Sequence, residues 1–461
     1  MSLEQVTQSL YKLKEKPLAI QVLNAFAKQA YLWPEYDDLA KCFFKLKEYK
    51  DAIKYSELAL TTAYTMERSW AARANLINVL NHANYPEEAL FHIANQERLI
   101  PEDQDTRLEK AFSYFLMNDR DKAESILLSE LERDDLTTEV QTKILFNLGT
   151  YCLWRDEFQK GLSLFLHKGQ ELDYWRKAKL PFKFWDGGIK PGSSIVLYAE
   201  AGIGDEIINV RFMQTLSDLG MEPIWFTDRK DMVEIFNANG FKATSDIKVI
   251  QSMASKDPSL LWTYPMSLPV YLDLQYKNLW YAPYLKPLEK YWGTAVCLVD
   301  EHVKEDAPNK KYKIGLRWAG NPEYDHDLHR SVELNDILDT LIDTDAELYS
   351  LQKDSAVDDL INSRLKVEEL GTKLDSFGLT LSVINELDLV ITTCTSVAHA
   401  AAAMGKRVCI FVPISAYYTW SHSMAQSPWY GDNVTILRQT KPRDWTEAML
   451  QLRKILAAEF A

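Results

Sequence analysis

Several short segments combine side chains that act in catalysis with a position after a strand-like run. The first is EAGIGDE, residues 200–206, which follows the run IVLY. Its glycines, Gly202 and Gly204, permit a tight turn and a close approach of the backbone to a ligand. Asp205 would stand near the carboxyl end of a strand, where ligands of open α/β sheets bind, so we expect it to act as a general base. A simple helix cap is the competing interpretation.

A second segment, KIGLRWAGNP at residues 313–322, has the pattern of a strand that ends in a turn, and DHDLHRS follows it. Arg317 and Arg330 offer planar, permanently charged groups that suit phosphate oxygens, although ordinary surface ion pairs use the same residues. Asp325 and Asp327 form an acid-x-acid pattern of the kind that binds metals. Because polar loops often produce such pairs by chance, we expect no metal site.

Two later segments place phosphate-binding groups after strands. In LQK, residues 351–353, Lys353 can reach a pyrophosphate as a point charge and Gln352 can hydrogen-bond a base or a phosphate. In TTCTSVAHA, residues 392–400, the hydroxyls of Thr395 and Ser396 and the free amides of a helix start converge where a phosphate would sit. His399 lies one turn further on, where it either supports that site or packs to hold the turn.

These segments need a scaffold of alternating strands and helices. The sequence predicts strands at IVLYAE, EPIWFT and KVIQ, with helices at INVRFMQTLSDLG and KDMVEIFNANG between them. A second series of strands follows at KIGLRWAG, ELYSLQK, DLVITT and RVCIFVP. Alternation of this kind is typical of parallel sheets with helices on both faces, so we predict two Rossmann-like halves.

The first part of the chain has a helical periodicity instead. Small residues follow five short turns at separations of 33, 37, 34 and 38 residues: Ala19, Ala52, Ala89, Ala123 and Gly161. That period is near the roughly 34 residues of a tetratricopeptide repeat, and an irregular helical bundle is the alternative. Such an array either offers a surface to a partner or braces the next domain.

Composition excludes some classes of function and favours others. The chain of 461 residues has a formal net charge of −14, which gives no general attraction to nucleic acid or to an anionic membrane. Its five cysteines are scattered without a C-x-x-C, so neither a disulfide framework nor a zinc site is expected. No apolar run has the length of a membrane span. We expect a cytoplasmic protein without a membrane span.

In the order GIGD, WAGNP, LQK, TSVAH, SPWY and LRQ, these segments resemble the heptosyltransferase-like glycosyltransferases of the GT-B fold, particularly those with N-terminal tetratricopeptide repeats. They also share features with the O-linked N-acetylglucosamine transferases. The resemblance covers about residues 185–452. Together with the helical periodicity of the first part, it implies an α-helical, tetratricopeptide-like repeat domain at 1–168, an acceptor-side Rossmann-like domain at 169–305 and a nucleotide-sugar-binding Rossmann-like domain at 306–461.

The resemblance also implies an activity, which is inverting transfer from a nucleotide sugar to an acceptor hydroxyl without a metal or another cofactor. Asp205 would deprotonate the acceptor. The donor diphosphate would lie against the C-terminal half, at Arg317, Arg330, Lys353, Thr395, Ser396 and His399. The cleft would further include Gly202, Gly204, Gln352 and Ser267, the last in an S-L-P loop of the family. Cys394 stands where family members generally have an acid, which puts donor choice and the geometry of the turn in question.

The acceptor remains open between protein hydroxyls, a glycan and a hydroxymethylated base of phage-type DNA, with the helical region docking it. The net charge disfavours DNA, although a basic run lies at the domain junction: Lys168, Arg176, Lys177, Lys179, Lys183 and Lys190. A catalytically inactive interaction scaffold is the competing function. A dinucleotide-dependent oxidoreductase is disfavoured because the glycine turn lacks the G-x-G-x-x-G pattern.

Overall fold

The computed structural model describes residues 2–101, 103–171, 180, 182–185, 187–280, 282–300 and 311–460, with side chains of 167–171 and 355 left out. Contacts divide the chain into two compact units. Unit 1 comprises Met1–Asp135, Glu323–His329 and Thr440–Asp444, and unit 2 comprises Leu136–Pro322, Arg330–Gln439 and Trp445–Ala461. The predicted limit at 305/306 lies outside the described residues, and α-helical structure continues past 168 to Glu171. The three-domain division stays a prediction.

Helices account for the first part of the described chain and follow one another in pairs. They are α1 (Leu3–Lys12), α2 (Lys16–Ala27), α3 (Trp33–Lys45), α4 (Tyr49–Thr61), α5 (Met66–His82), α6 (Pro86–Glu97), α7 (Gln104–Leu116), α8 (Arg120–Leu131), α9 (Thr138–Trp154) and α10 (Phe158–Glu171). Unit 1 contains α1–α8, and unit 2 contains α9 and α10.

The repeat predicted from small residues is present in the helix pairs. The four alanines of the pattern are fully buried in the second helices of their pairs, and a Cβ at Gly161 would lie 2.7 Å from Leu153 Cγ. Five residues before each small residue, the turn has a positive φ: Lys14, Lys47, Asn84, Asn118 and Asp156. One turn geometry and one close helix contact therefore recur with the predicted spacing.

A five-stranded parallel sheet forms the first half of the α/β region. Its strands are β1 (Lys183–Phe184), β2 (Ser194–Tyr198), β3 (Glu222–Phe226), β4 (Ala243–Thr244) and β5 (Leu261–Thr263), in the order β1-β5-β2-β3-β4. Its helices are α11 (Ile203–Val210), α12 (Phe212–Asp218), α13 (Lys230–Ala238), α14 (Ile247–Lys256), α15 (Leu268–Tyr271) and α16 (Trp292–Asp300). The strand predicted at KVIQ is wrong, because Asp246 caps helix α14 there and only Ile250 of the apolar residues is buried.

A seven-stranded sheet forms the second half. Its strands are β6 (Tyr312–Arg317), β7 (Ala346–Ser350), β8 (Glu368–Glu369), β9 (Leu389–Thr393), β10 (Arg407–Val412), β11 (Gln426–Ser427) and β12 (Gly431–Arg438), in the order β11-β12-β10-β9-β6-β7-β8. Its helices are α17 (Asp327–Arg330), α18 (Leu334–Thr340), α19 (Phe377–Asn385), α20 (Ser396–Ala403) and α21 (Thr446–Glu459). Only β11 pairs antiparallel among these strands.

The central strands are apolar because helices cover both of their faces. Every residue of β9 is buried, as are five of the six residues of β10. One hydrophobic cluster of unit 2 includes side chains of both sheets, among them Trp225 of β3 and Ile410 of β10. The predicted fold class, a helical repeat region followed by two Rossmann-like α/β halves, is confirmed. No helix among the described residues is long and apolar enough to cross a membrane.

Candidate functional site

The loop after β2 presents Asp205 at the carboxyl edge of the first sheet. Helix α11 begins at Ile203 with Gly202 as its N-cap, and the Gly202 N–H donates to Asp205 Oδ2 over 3.0 Å. Burial raises the pKa of Asp205 to about 6. An ionised carboxylate accepts several hydrogen bonds, so capping one turn leaves it able to accept a proton. A pKa near 6 suits a general base at neutral pH, because the group is ionised and still basic.

Glu200 is a second carboxyl group at this edge, and its role was not predicted from the sequence. Its Oε1 accepts a hydrogen bond from the Met266 N–H over 2.9 Å, whereas its Oε2 is buried without a partner. Burial raises the pKa of Glu200 well above its ordinary value. An unsatisfied buried oxygen costs about 1–3 kcal/mol, which marks it as a candidate ligand-binding atom. Its position two residues after β2 could have identified it by the argument that selected Asp205.

An ion pair between the buried Glu206 and the half-exposed Arg229 fixes the backbone of the same loop. Glu206 is 1% exposed and accepts from Trp225 Nε1, Thr227 Oγ1 and Arg229 Nη1 at 2.9, 3.1 and 2.5 Å. Arg229 Nη2 also donates to the carbonyl of Ala201 over 2.9 Å. Ala201 has a φ of +60°, a conformation that is uncommon for a residue with a Cβ. The pair therefore holds the loop in shape rather than supplying chemistry.

Gly204 brings the two halves of unit 2 together at this loop. A Cβ at position 204 would lie 2.8 Å from His399 Cδ2 and 3.6 Å from Ser396 Cα. Only a glycine allows helix α11 to approach α20 so closely. The loop that carries Asp205 therefore lies against the first turn of α20, which holds Ser396 and His399.

Strand order explains why the other predicted residues share one edge. Strands β9, β6 and β7 are neighbours in the second sheet, and all three run parallel. Arg317 ends β6, Gln352 and Lys353 follow β7, and Thr395 and Ser396 follow β9. Segments that are 35 to 43 residues apart in sequence therefore converge, because carboxyl ends of parallel strands meet at the same edge.

Each cationic side chain of this edge has a protein partner. Arg317 Nη2 pairs with Asp354 Oδ2 at 2.9 Å, and Arg330 Nη1 donates to the Cys394 carbonyl over 3.0 Å. Lys353 is exposed, and its Nζ donates to the carbonyl of Leu374. Arg330 thereby fixes the peptide immediately before Thr395, the N-cap of α20.

Gln352 ties two turns of this edge to each other. Its side chain is fully buried, and Oε1 accepts from the Ala319 N–H over 3.1 Å, while Nε2 is buried without a partner. Gly371 packs directly on its peptide, since a Cβ there would lie 1.7 Å from Gln352 O. The side-chain amide of Gln352 therefore supports the turn after β6 through its oxygen, and its Nε2 remains as a donor.

The first turn of α20 offers donors to an anion. Thr395 is 7% exposed, Ser396 is half-buried, and the first N–H groups of any helix lack acceptors within that helix. The helix dipole adds positive potential at this end. Cys394, where the resemblance led us to expect an acid, is half-buried and forms no disulfide within the part of the chain that the structure describes.

His399 is a packed, neutral histidine next to that turn. Its Nδ1 lies 2.8 Å from Tyr430 Oη, and its ring stacks on Trp420 with centroids 5.0 Å apart. Burial lowers the pKa of His399 to about 3, and the nearby Arg211 contributes to the shift. Arg211 is itself fully buried among aromatic rings, which sequence reasoning missed. At neutral pH His399 thus adds a hydrogen bond and packing, but no charge.

The remaining predicted residues have different surroundings. Ser267 lies in the turn after β5, beside the Met266 that Glu200 binds, and is half-buried. Asp325 and Asp327 belong to unit 1. The described residues contain no group of three histidine, cysteine or acidic side chains arranged for a metal ion. Of the basic run, Arg176, Lys177, Lys179 and the side chain of Lys168 lie outside the described residues.

No family model matches the chain, and no curated protein matches it. Among solved structures, the chain is similar to a family 9 glycosyl transferase from Veillonella parvula DSM 2008, with 10% identity over 59% of this chain and 99% of that chain and a TM-score of 0.45. A mutant O-GlcNAc transferase of Thermobaculum terrenum has 11% identity over 99% and 92% of the two chains and a TM-score of 0.33. Full-length LpoA from Haemophilus influenzae has 10% identity over 95% and 88% and a TM-score of 0.25.

Proposed function

We propose that the protein transfers a sugar from a nucleotide-sugar donor to the hydroxyl of an acceptor. The observation that carries this proposal is the close approach of Gly204 to Ser396 and His399. It sets a carboxylate with a pKa near 6 beside a helix start that can receive a diphosphate. Proton removal from an acceptor and stabilisation of a leaving diphosphate are the two tasks of glycosyl transfer.

The donor diphosphate is proposed to bind at the first turn of α20. Thr395 and Ser396 offer hydroxyls there, and Arg330 already holds the adjoining carbonyl of Cys394. Lys353, exposed on the neighbouring turn, is free to exchange the Leu374 carbonyl for a phosphate oxygen, a stronger acceptor. Arg317 contributes positive charge at the end of β6.

The proposed reaction is a single displacement with inversion at the anomeric carbon. Asp205 takes the proton of the acceptor hydroxyl as its oxygen attacks the anomeric carbon. The bond from that carbon to the diphosphate oxygen breaks, and the nucleoside diphosphate leaves with the electron pair. Three cationic side chains and the helix start stabilise that charge, so we propose that the reaction requires no metal.

Protein hydroxyls, glycans and hydroxymethylated DNA bases remain candidate acceptors. A net charge of −14 weighs against DNA because long-range repulsion opposes its approach. The helical array as a dock for the acceptor is likewise a proposal, and an inactive scaffold is the alternative function.

The test combines donor binding with donor turnover. Thermal unfolding is measured with UDP-, GDP-, ADP- and CMP-linked sugars for the wild type and Lys353→Ala, since a ligand at 100 times its Kd stabilises by about 2.7 kcal/mol. Release of nucleoside diphosphate is then followed for wild type and Asp205→Asn, with and without EDTA. Binding of one nucleotide class and turnover lost in Asp205→Asn are expected. If none of the four nucleotide-sugar classes stabilises the protein against thermal unfolding, the result would support the inactive scaffold.

A further inference from the structure

Helices of unit 1 hold a segment from the second half of the chain, Glu323–His329. Tyr11 at the end of α1 donates its hydroxyl to the Glu323 carboxylate. Lys47, in the turn after α3, donates to the Glu323 carbonyl and lies 3.2 Å from Asp325 Oδ1. Tyr49 Oη donates to the carbonyl of Asp325 over 3.3 Å. Two of these contacts are hydrogen bonds to main-chain carbonyls of the segment, as in the binding of a peptide.

The carboxyl-terminal end of the segment packs against aromatic side chains of the array. His326 stacks on His82, with centroids 5.7 Å apart and planes 18° apart, and meets Phe112 edge-on at 6.0 Å. His329 is 2% exposed, and its Nε2 donates to the carbonyl of His82 over 3.0 Å. Tyr11, Lys47, His82 and Phe112 come from four successive helix pairs, so the contacts follow the repeat along the array.

The segment also provides hydrogen-bond acceptors and ring contacts to side chains of the array. Leaving these side chains without such partners would cost free energy. The side chain of Lys47 is only 17% exposed, and its charge is met by the Glu323 carbonyl and Asp325. Removing the segment would leave a largely buried ammonium without these acceptors and would expose the faces of His82 and Phe112 to water. Release therefore costs free energy on both sides of the contact.

We propose that the helical array is an intramolecular recognition surface whose ligand is the segment Glu323–His329, and that holding this segment keeps Arg330 in place for the donor diphosphate. Arg330 is the last residue of α17, directly after His329 in the same helical turn. Its guanidinium binds the carbonyl before Thr395. The second half of the proposal rests on the proposed function, whereas the first half does not.

The test uses the full chain with two pairs of matched variants. Lys47→Ala removes a contact from the array and His326→Ala removes one from the segment. Lys50→Ala and His92→Ala are the matched controls, each removing the same type of side chain as one test variant. Lys50 is exposed on α4, and the ring of His92 on α6 packs against that of Phe91. Hydrogen–deuterium exchange of residues 323–331 and the affinity for UDP, GDP and ADP are measured for each protein.

Both test variants are expected to speed amide exchange of the segment about tenfold, the effect of losing roughly 1.4 kcal/mol of local stability. They are expected to weaken nucleoside diphosphate binding three- to tenfold, with both controls unchanged. Unchanged exchange in both variants would overturn the recognition of the segment. Faster amide exchange of the segment with unchanged affinity for nucleoside diphosphates would overturn the proposal that the segment keeps Arg330 in place. A wild type that binds none of the three diphosphates refutes the proposed function and the role of Arg330, while the exchange result still decides whether the array holds the segment.

Discussion

The carboxyl edges of the two sheets differ in the ionisable groups that they carry. At the first edge Glu200, Asp205 and Glu206 are all acids whose pKa burial raises. At the second edge the prominent groups are Arg317, Arg330 and Lys353, next to the positive end of α20. Gly204 is where the two edges touch.

Two halves with the same kind of fold can therefore supply two kinds of chemistry. A buried carboxylate with a raised pKa accepts protons well, and a basic edge binds anions. Burial disfavours the charged form in the second half as well, since it lowers the pKa of the buried histidines His399 and His422 to about 3. The acids of the first edge are therefore easier to protonate, and these two histidines are harder to protonate.

Asp205→Asn should have the largest effect, because it removes the proposed base of the first edge. The amide oxygen can still cap Gly202, but it cannot accept a proton, so the rate of donor turnover should fall about 10²- to 10⁴-fold. Nucleoside diphosphate affinity should stay within about twofold, and thermal stability should rise because burying the ionised acid is unfavourable. Initial rates and calorimetry measure both. Asp228→Asn, an exposed acid in the loop after β3, is the control. Equal rates in the two variants would exclude Asp205 as the base.

Gly204→Ala should separate the two edges. The added Cβ meets His399, and overpacking of this kind costs about 1–3 kcal/mol in stability. Activity should fall as well, because α11 must move away from α20. Urea unfolding and donor turnover give the two readouts. Gly293→Ala in α16, where a Cβ meets nothing within 4 Å, should be neutral or stabilising. A Gly204→Ala protein as stable and active as wild type would contradict the close approach.

Lowering the pH should change the folding stability through His399 and through Asp205 in opposite directions. The unfolded chain binds a proton at His399 below its ordinary pKa of 6.5, whereas the folded chain does so only near pH 3. Stability therefore falls as the pH drops below 6.5, by about 2 kcal/mol at pH 5 for each such histidine. Asp205 works in reverse, because the folded chain binds its proton first as the pH falls through 6.

Urea unfolding at pH 7 and pH 5 measures this difference. His399→Gln should lose about 2 kcal/mol less than wild type between the two pH values. Asp205→Asn should lose more than wild type, since it lacks the compensating acid. The same loss in all three proteins would show that neither group titrates as described.

Lys353→Ala should have the smallest effect. The lysine is exposed, so removing its contact to a phosphate should weaken nucleotide binding about tenfold, close to 1.4 kcal/mol. The loss should shrink at high salt because the charge is screened. Titration calorimetry at two salt concentrations measures it, with the exposed Lys373→Ala as control. Equal affinity in both variants would remove Lys353 from the diphosphate site.

Most of the secondary-structure elements, and the positions of the polar residues on them, could be predicted from the amino-acid sequence. Strand-like runs followed by GIGD, LQK and TSVAH placed their polar residues after strands, and β2, β7 and β9 bear this out. The small residues that predicted the helix pairs are buried as expected. These features depend on local periodicity and on turns of a few residues, which a single segment carries. KVIQ shows the limit, since a short apolar run fits a strand or a helix equally well.

Which of these residues are in contact, and how burial shifts their pKa, depends on the packing of distant segments. The contact of Gly204 with His399 joins positions nearly 200 residues apart, and the capture of Glu323–His329 by the helix pairs joins positions even further apart. The roles of Glu200 and Arg211 depend on burial, which raises the pKa of the acid and encloses the arginine in rings. Burial and distance are properties of the packed chain, because each is set by segments that the local sequence does not contain.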